Sequence, residues 1–419
     1  MIDYCRSCKS ESLEPILKLG NFYLSDFVEK SQEEKPNSYP LNLLLCKDCF
    51  LVQQDNTTPP EELYNNHYGY KSGINDTIRN NLSEIVKEAS SIIKLKTDDI
   101  VVDIGANDGT LLDNYSDKIV KVGYEPVAKF VQEAIFKRKA SPYFIYFADF
   151  FQSHYFKNRF DDKKAKIITV ISMFYDLDDP NQFLEEIREI LDEKGILVIQ
   201  QNYLAGMLTQ NAFDNIVHEH LEYYSLKSLE NLLAKFDLEV FDVKLNDING
   251  GSFRTLIAQT GTQKVFDSVE GLRQTEKLLK LDDPGTYRKF ATRVEDNAAN
   301  VYAFVKKVAD EGKTVYLYGA STRGNTLLQY YNLDNNLIKA AVERNPDKFG
   351  KKIASVDIPI ISEAQARKER PDYMFVLPWF HKDEFIRREA DYLKSGGVFI
   401  IPLPELQIIG GDSLESEKV

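Results

Sequence analysis

The sequence predicts an α/β chain in three parts: a small cysteine-bearing module, a central domain with a parallel sheet, and a second α/β domain of the same kind. Three observations predict it. All four cysteines fall within the first 49 residues, as Cys5-Arg-Ser-Cys8 and Cys46-Lys-Asp-Cys49. An apolar run ending at Asp103 leads into a turn that holds Gly105 and Gly109. A second alternation of apolar strands and helical stretches begins near Thr314. A chain of 419 residues also exceeds what one hydrophobic core usually organises. The expected boundaries are residues 1–64, 65–263 and 264–419.

Two CxxC pairs suit tetrahedral zinc, because each two-residue knuckle sets two thiolates on one side of a turn and two knuckles close the shell. Cys5, Cys8, Cys46 and Cys49 are the expected ligands. Four thiolates leave no open position for a substrate, so the expected zinc is structural. The alternative of two disulfides belongs to an oxidising compartment, and the N-terminus MIDYCRSCKS lacks a signal-peptide pattern. No apolar run approaches a membrane span, and the expected location is cytoplasmic. The formal net charge of -13 disfavours a nucleic-acid partner, whose phosphates need basic surface.

In the central segment, Asp99-Ile-Val-Val-Asp-Ile-Gly-Ala-Asn-Asp-Gly-Thr reads as a strand, a glycine turn and a helix from about Thr110, preceded by an amphipathic helix around 75–93. A dinucleotide fingerprint would need glycine in place of Asn107 and Thr110, which makes NAD the weaker reading. The strand Ile119–Tyr124 then runs into Glu125, a carboxylate placed to take both ribose hydroxyls. Asp103, Gly105 and Glu125 together resemble the S-adenosylmethionine (SAM) site of class I methyltransferases. That resemblance implies cofactor contacts from Asp149, after the strand near 142–147, and from Ser172, after the strand near 165–174. Asp179-Pro180 reads as the cap and first residue of a helix whose apolar face is Phe183, Leu184, Ile187, Ile190 and Leu191.

Beyond the strand near Gln201 comes Ile216-Val-His-Glu-His-Leu-Glu-Tyr-Tyr-Ser, followed by a helix capped by Ser225. His218 and His220 are two of only five histidines. On an extended backbone they share one side and Glu219 takes the other, whereas a turn would gather all three. A histidine oriented by a carboxylate suits proton abstraction. A second metal site and a merely hydrogen-bonded pair are the competing readings. In the last third, Gly319-Ala-Ser-Thr-Arg-Gly-Asn-Thr has Walker-like glycine spacing but Asn325 where lysine would stand, so ATP hydrolysis is excluded. The loop reads either as a pyrophosphate cradle assisted by Arg323 or as a packing turn.

The whole series, two CxxC pairs, His67-Tyr-Gly-Tyr-Lys-Ser-Gly, DIGANDG, HEHLEYYS, Asn249-Gly-Gly-Ser-Phe-Arg and the Gly319 loop, resembles the sugar C-methyltransferases of deoxysugar biosynthesis. The resemblance covers nearly the whole chain. It implies a zinc-binding N-terminal domain, a class I methyltransferase Rossmann-like domain and a second Rossmann-like domain. His220 would be the general base, with Glu219 orienting it. Tyr68 or Tyr70 would hydrogen-bond the oxyanion, and Ser72, Asp103, Gly105, Asn107, Gly109, Glu125, Asp149 and Ser172 would surround SAM. The implied acceptor is a nucleotide-linked keto sugar, handled by a monomer or weak homo-oligomer. Asp176 stands where C3-acting members carry histidine and Val217 where they carry tyrosine, so the atom methylated is open. Sugar O-methylation, a zinc-ribbon RNA methyltransferase and a non-catalytic SAM or nucleotide-sugar binding protein are the alternatives.

Overall fold

The computed structural model describes residues 2–64, 71–138 and 141–411. The chain divides into two compact units, one of residues 1–15, 44–206 and 219–284, the other of residues 16–43, 207–218 and 285–419.

The first unit is built on a seven-stranded sheet. Its strands are β1 (Ile100–Ile104), β2 (Val120–Tyr124), β3 (Phe144–Phe147), β4 (Ala165–Ile171), β5 (Leu191–Asn202), β6 (Leu238–Asn246) and β7 (Ser252–Gln259), in the spatial order 3-2-1-4-5-7-6. Neighbours from β3 to β5 pair in parallel, and β7 runs antiparallel to both β5 and β6. The strands β1 and β4 are mostly apolar, because parallel strands are covered on both faces. Ile100, Val101, Val102, Ile167, Ile168 and Val170 are all buried. The strand order reverses between β1 and β4, which opens a crevice at their carboxyl ends.

Local signals in the sequence are reproduced where short-range chemistry sets them. Asp179 accepts from the backbone N–H groups of Asn181 and Gln182, with Pro180 opening the helix Pro180–Ile190. Ser225 and Ser228 form a reciprocal capping box on the helix Leu226–Leu233. The helix expected from Thr110 is replaced by a single 3₁₀ turn, Leu112–Asn114. The Asn114 amide there donates to the carbonyls of Thr110 and Leu111, a local bond that competes with helix propagation. The HEHLEYY segment supplies a short strand, Glu222–Tyr223, that pairs antiparallel with Val52–Gln54 of the cysteine-bearing module.

The second unit carries β8 (Val315–Tyr318), β9 (Ala340–Glu343), β10 (Lys351–Ile353), β11 (Ile358–Ser362), β12 (Tyr373–Val376), β13 (Val398–Ile401) and β14 (Gln407–Ile409). They lie in the order 14-13-12-8-9-11-10, with Phe27–Glu29 added antiparallel at the β10 edge. The strands β13, β12, β8, β9 and β11 are parallel. This is the second alternating α/β set expected after Thr314.

Candidate active site and metal centre

The four cysteines converge. Their sulfurs lie within 4.8 Å of one another, with Cys5 to Cys49 and Cys8 to Cys46 each at 3.5 Å. Zn–S bonds of ~2.3 Å in a tetrahedron require sulfurs ~3.8 Å apart, so the residues fit the ion. The two knuckles are alike. Lys9 N–H donates to the Cys5 carbonyl and Phe50 N–H to the Cys46 carbonyl, and Lys9 and Phe50 both have left-handed φ, 61° and 63°. None of the four is joined in a disulfide in this structure. Buried Arg6, inside the first knuckle, ties it to the end of the strand Val52–Gln54 by donating to the carbonyls of Gln54 and Asn56.

A large pocket lies along the carboxyl edge of β1 to β5. Ser72, Asp103, Gly105, Asn107, Glu125, Asp149 and Ser172 line it, as does Asp176. Asp103 is buried and accepts from Thr169 Oγ1 at 2.6 Å. Burial, with Glu125 adding negative charge, pushes its carboxyl up to about 7 against the Thr169 bond. Glu125 accepts from the N–H groups of Asn107 and Val127, each at 2.9 Å, and burial raises its carboxyl although those bonds oppose it. Asp149 accepts from Phe150 N–H and Tyr155 Oη, each at 2.8 Å.

Backbone strain gathers here. Gly105, Asn107, Ser172 and Asn249, all in the pocket wall, have φ of 73°, 49°, 55° and 55°, and such conformations cluster at functional sites. A Cβ on Gly105 would meet Met173 Cγ at 3.2 Å. Gly109 is not part of the pocket wall. Its missing side chain makes room for Arg138, whose Nη2 would stand 2.6 Å from a Cβ there and donates to the Asp108 carbonyl. Ser72 N–H donates to Asn107 Oδ1 and Gly73 N–H to Asp108 Oδ2, clipping that segment to the β1 turn.

Beside the pocket, Tyr64 Oη donates to Asp176 Oδ2 at 3.0 Å, while Asp176 Oδ1 is buried without a partner among the described residues. Burial first, then the negative charges of Glu219 and Glu222, hold the Asp176 carboxyl well above the usual carboxylate range, against the Tyr64 bond. The adjacent Tyr175 packs its ring 4.2 Å from that of His220. Gln54 Nε2 donates to the His220 carbonyl at 2.7 Å. Burial raises the Glu219 carboxyl and lifts that of Glu222 to about 8, with Arg6 opposing the latter.

His218 and Glu219 lie in a turn, the second of the two backbone arrangements open to this segment. His218 is buried with its Nε2 3.4 Å from the Tyr39 carbonyl, and burial depresses its pKa to about 4. Tyr68 and Tyr70 lie outside the described residues. In the second unit, Arg323 directs Nε and Nη2 to Asp214 Oδ2 at 3.0 and 2.6 Å, and Trp379 donates to the same oxygen. Ser321 Oγ accepts from Gly324 N–H and Glu343 from Ala320 N–H. The Gly319 loop thus spends several of its donors internally, as a packing turn does.

Residues 5–64 match the family of a zinc binding domain, 75–243 a methyltransferase domain and 247–404 a C-methyltransferase C-terminal domain. The chain is a SAM-dependent methyltransferase whose three matched segments follow the domain series of C-methyltransferases. It is 28% identical over 416 residues, 98% of each chain, to the C-methyltransferase NovU of Streptomyces niveus. Solved structures with partial likeness include the N-methyltransferase NodS of Bradyrhizobium japonicum, 11% identical with a TM-score of 0.35, covering 44% of this chain and 98% of that one. A SAM-dependent methyltransferase of Clostridium acetobutylicum is 14% identical with a TM-score of 0.35, covering 45% and 94%. These two overlaps are too slight to carry an argument. Among the described residues, no helix is long and apolar enough to cross a membrane.

Tyr64, Gln200 and Arg254 went unassigned in the sequence. Tyr64 sits where the expected zinc domain ends. Gln200 had a readable signal, a polar pair closing the apolar run Ile196-Leu-Val-Ile, because polar residues at the carboxyl end of a parallel strand face the ligand crevice. Arg254 closes the Asn249-Gly-Gly-Ser-Phe-Arg motif, but its role was unreadable there, since its partners are 54 and 173 residues away in the chain.

Proposed function

We propose that the chain methylates a carbon of a nucleotide-linked keto sugar, with SAM as donor and His220 as general base. The observation that carries this reading is the junction at Tyr175 and Asp176. Asp176 lines the SAM-type pocket, while Tyr175 packs against His220. SAM, when bound, supplies an electrophilic methyl on a cationic sulfur. His220 accepts the proton from the carbon alpha to the ketone, which makes that carbon nucleophilic. Glu219 orients the histidine and offsets the charge it acquires. Asp176, kept protonated by burial and held by the Tyr64 hydroxyl, offers a hydrogen bond from its other oxygen to the oxygen that gains charge, the usual route to stabilising an oxyanion. Asp103, Glu125 and Asp149 hold the donor's polar groups along the sheet edge. The protein works in the cytoplasm as a monomer or weak homo-oligomer.

O-methylation is the second reading, favoured by Asp176, whose unpartnered oxygen is a candidate base for a sugar hydroxyl. Mass spectrometry of the protein incubated with SAM and a panel of nucleotide-linked 4-keto sugars in deuterated water separates the two. Carbon methylation adds a methyl and removes the alpha hydrogen, and it stops in His220→Ala. A methylated product that keeps its alpha hydrogen would mean oxygen is the acceptor. A His220→Ala protein with undiminished turnover would end the role given to that residue.

A further inference from the structure

We propose that Arg254 orients the side-chain amides of Gln200 and Asn81 into a paired donor site for the α-carboxylate of SAM. Arg254, on β7, stands directly opposite Gln200, on β5, in the strand register, and is buried. Its Nε donates to Gln200 Oε1 at 2.9 Å and its Nη2 to Asn81 Oδ1 at 2.9 Å. Asn246 Nδ2 donates a further bond to Gln200 Oε1 at 3.2 Å. Glu88, paired with Arg254 Nη1 at 2.6 Å and also with Lys244, balances the charge.

A guanidinium only donates, so it decides which way each amide turns. Both carbonyls face Arg254, and both NH2 groups therefore face away from it. Gln200 is fully buried, lines the pocket, and its Nε2 has no partner among the described residues. Leaving a buried donor unpaired is costly, which a purely structural amide would avoid. Asn81 lines the same pocket.

The sheet order says what this donor pair faces. From β3 to β5, the carboxyl ends present Asp149, Glu125, Gly105, Ser172 and Gln200 in turn. Carboxylate acceptors at one end suit the ribose diol and the adenine amine of SAM. Amide donors at the other suit its α-carboxylate. Among the described residues that line the pocket there is no lysine or arginine, so the anion is received by neutral N–H groups backed by a buried cation.

Calorimetric titration of the full-length protein tests this with two probes. S-adenosylhomocysteine carries the amino-acid tail, and 5′-deoxy-5′-methylthioadenosine keeps the adenosine and sulfur without it. Gln200→Met is expected to raise the Kd for S-adenosylhomocysteine about tenfold or more, the usual worth of a charge-assisted hydrogen bond, and to leave the Kd for methylthioadenosine within about twofold. Gln200→Glu, which keeps the contact with Arg254 and the packing, is expected to do the same more strongly. Unchanged affinity for S-adenosylhomocysteine overturns the assignment, including the case where only the acceptor KM rises. So does a parallel loss of both ligands. Neither probe contains an acceptor, so the outcome is independent of which atom is methylated.

Discussion

Replacing Asp103 with asparagine perturbs the most informative carboxyl in the pocket. Burial holds it at about 7, against 3.8 for an ordinary aspartate. Between pH ~4 and ~7 the unfolded chain therefore releases a proton that the folded chain keeps, so stability falls as pH rises and levels off above 7. About three pKa units at 1.36 kcal/mol each is about 4 kcal/mol, which partial relaxation of the site reduces to roughly 2–4 kcal/mol. Asparagine carries no ionisable group and its Oδ1 still accepts from Thr169. Asp103→Asn should leave the ligand-free protein no more stable at pH 4 and more stable at pH 8, by roughly 5–10 °C in Tm at ~2–4 °C per kcal/mol. The raised carboxyls of Asp176, Glu219 and Glu222 are common to both proteins and cancel in the difference, whereas Glu125, whose charge acts on Asp103, adds a smaller contribution of its own. Binding moves the opposite way: SAM is cationic, so its affinity for the wild type should climb from pH 6 to 8 and stay low and flat in the variant. Melting curves at four pH values, with calorimetry for SAM, read both arms. A Tm difference that does not change with pH, or a variant less stable at pH 8, would refute the reasoning.

Three further outcomes are expected. A strong chelator should remove one zinc per chain, measured by elemental mass spectrometry, and lower Tm by more than about 10 °C, because binding energy at such sites is folding energy; Cys46→Ser should arrive already at the lower value. Gly105→Ala imposes ~1–2 kcal/mol of left-handed strain and pushes on Met173, so the Kd for SAM should rise about tenfold by calorimetry. Ser225→Ala removes the capping box of Leu226–Leu233 and should cost about 1 kcal/mol in urea denaturation, with unchanged SAM affinity.

What the sequence made legible was whatever short-range chemistry decides. Asp179-Pro180 and Ser225 announce helix starts within three residues, and the glycine turn after Asp103 announces a ligand crevice. Cysteine spacing was enough for the zinc module because two matched knuckles leave little geometric choice. The misread helix at Thr110 failed on an equally local point, the amide of Asn114 bonding backward to Thr110 and Leu111. The two histidines were hard to place for a different reason. Whether His218 and His220 share a side depends on a turn at 218–219, and each ring packs against a residue far along the chain, Tyr39 for one and Tyr175 for the other. Gln200 and Arg254 meet only because β7 inserts beside β5, a pairing that no spacing in the chain encodes.

Among the described residues, the pocket wall carries four carboxyl groups, Asp103, Glu125, Asp149 and Asp176, and no lysine or arginine. That distribution bears on turnover as much as on binding. Methyl transfer turns a sulfonium into a neutral thioether, so the spent cofactor loses the charge through which these acidic side chains attract it. An acid-walled pocket should therefore lose its charge attraction for the cofactor at the moment of transfer, an effect that opposes self-inhibition by a by-product differing from the reagent by one methyl group.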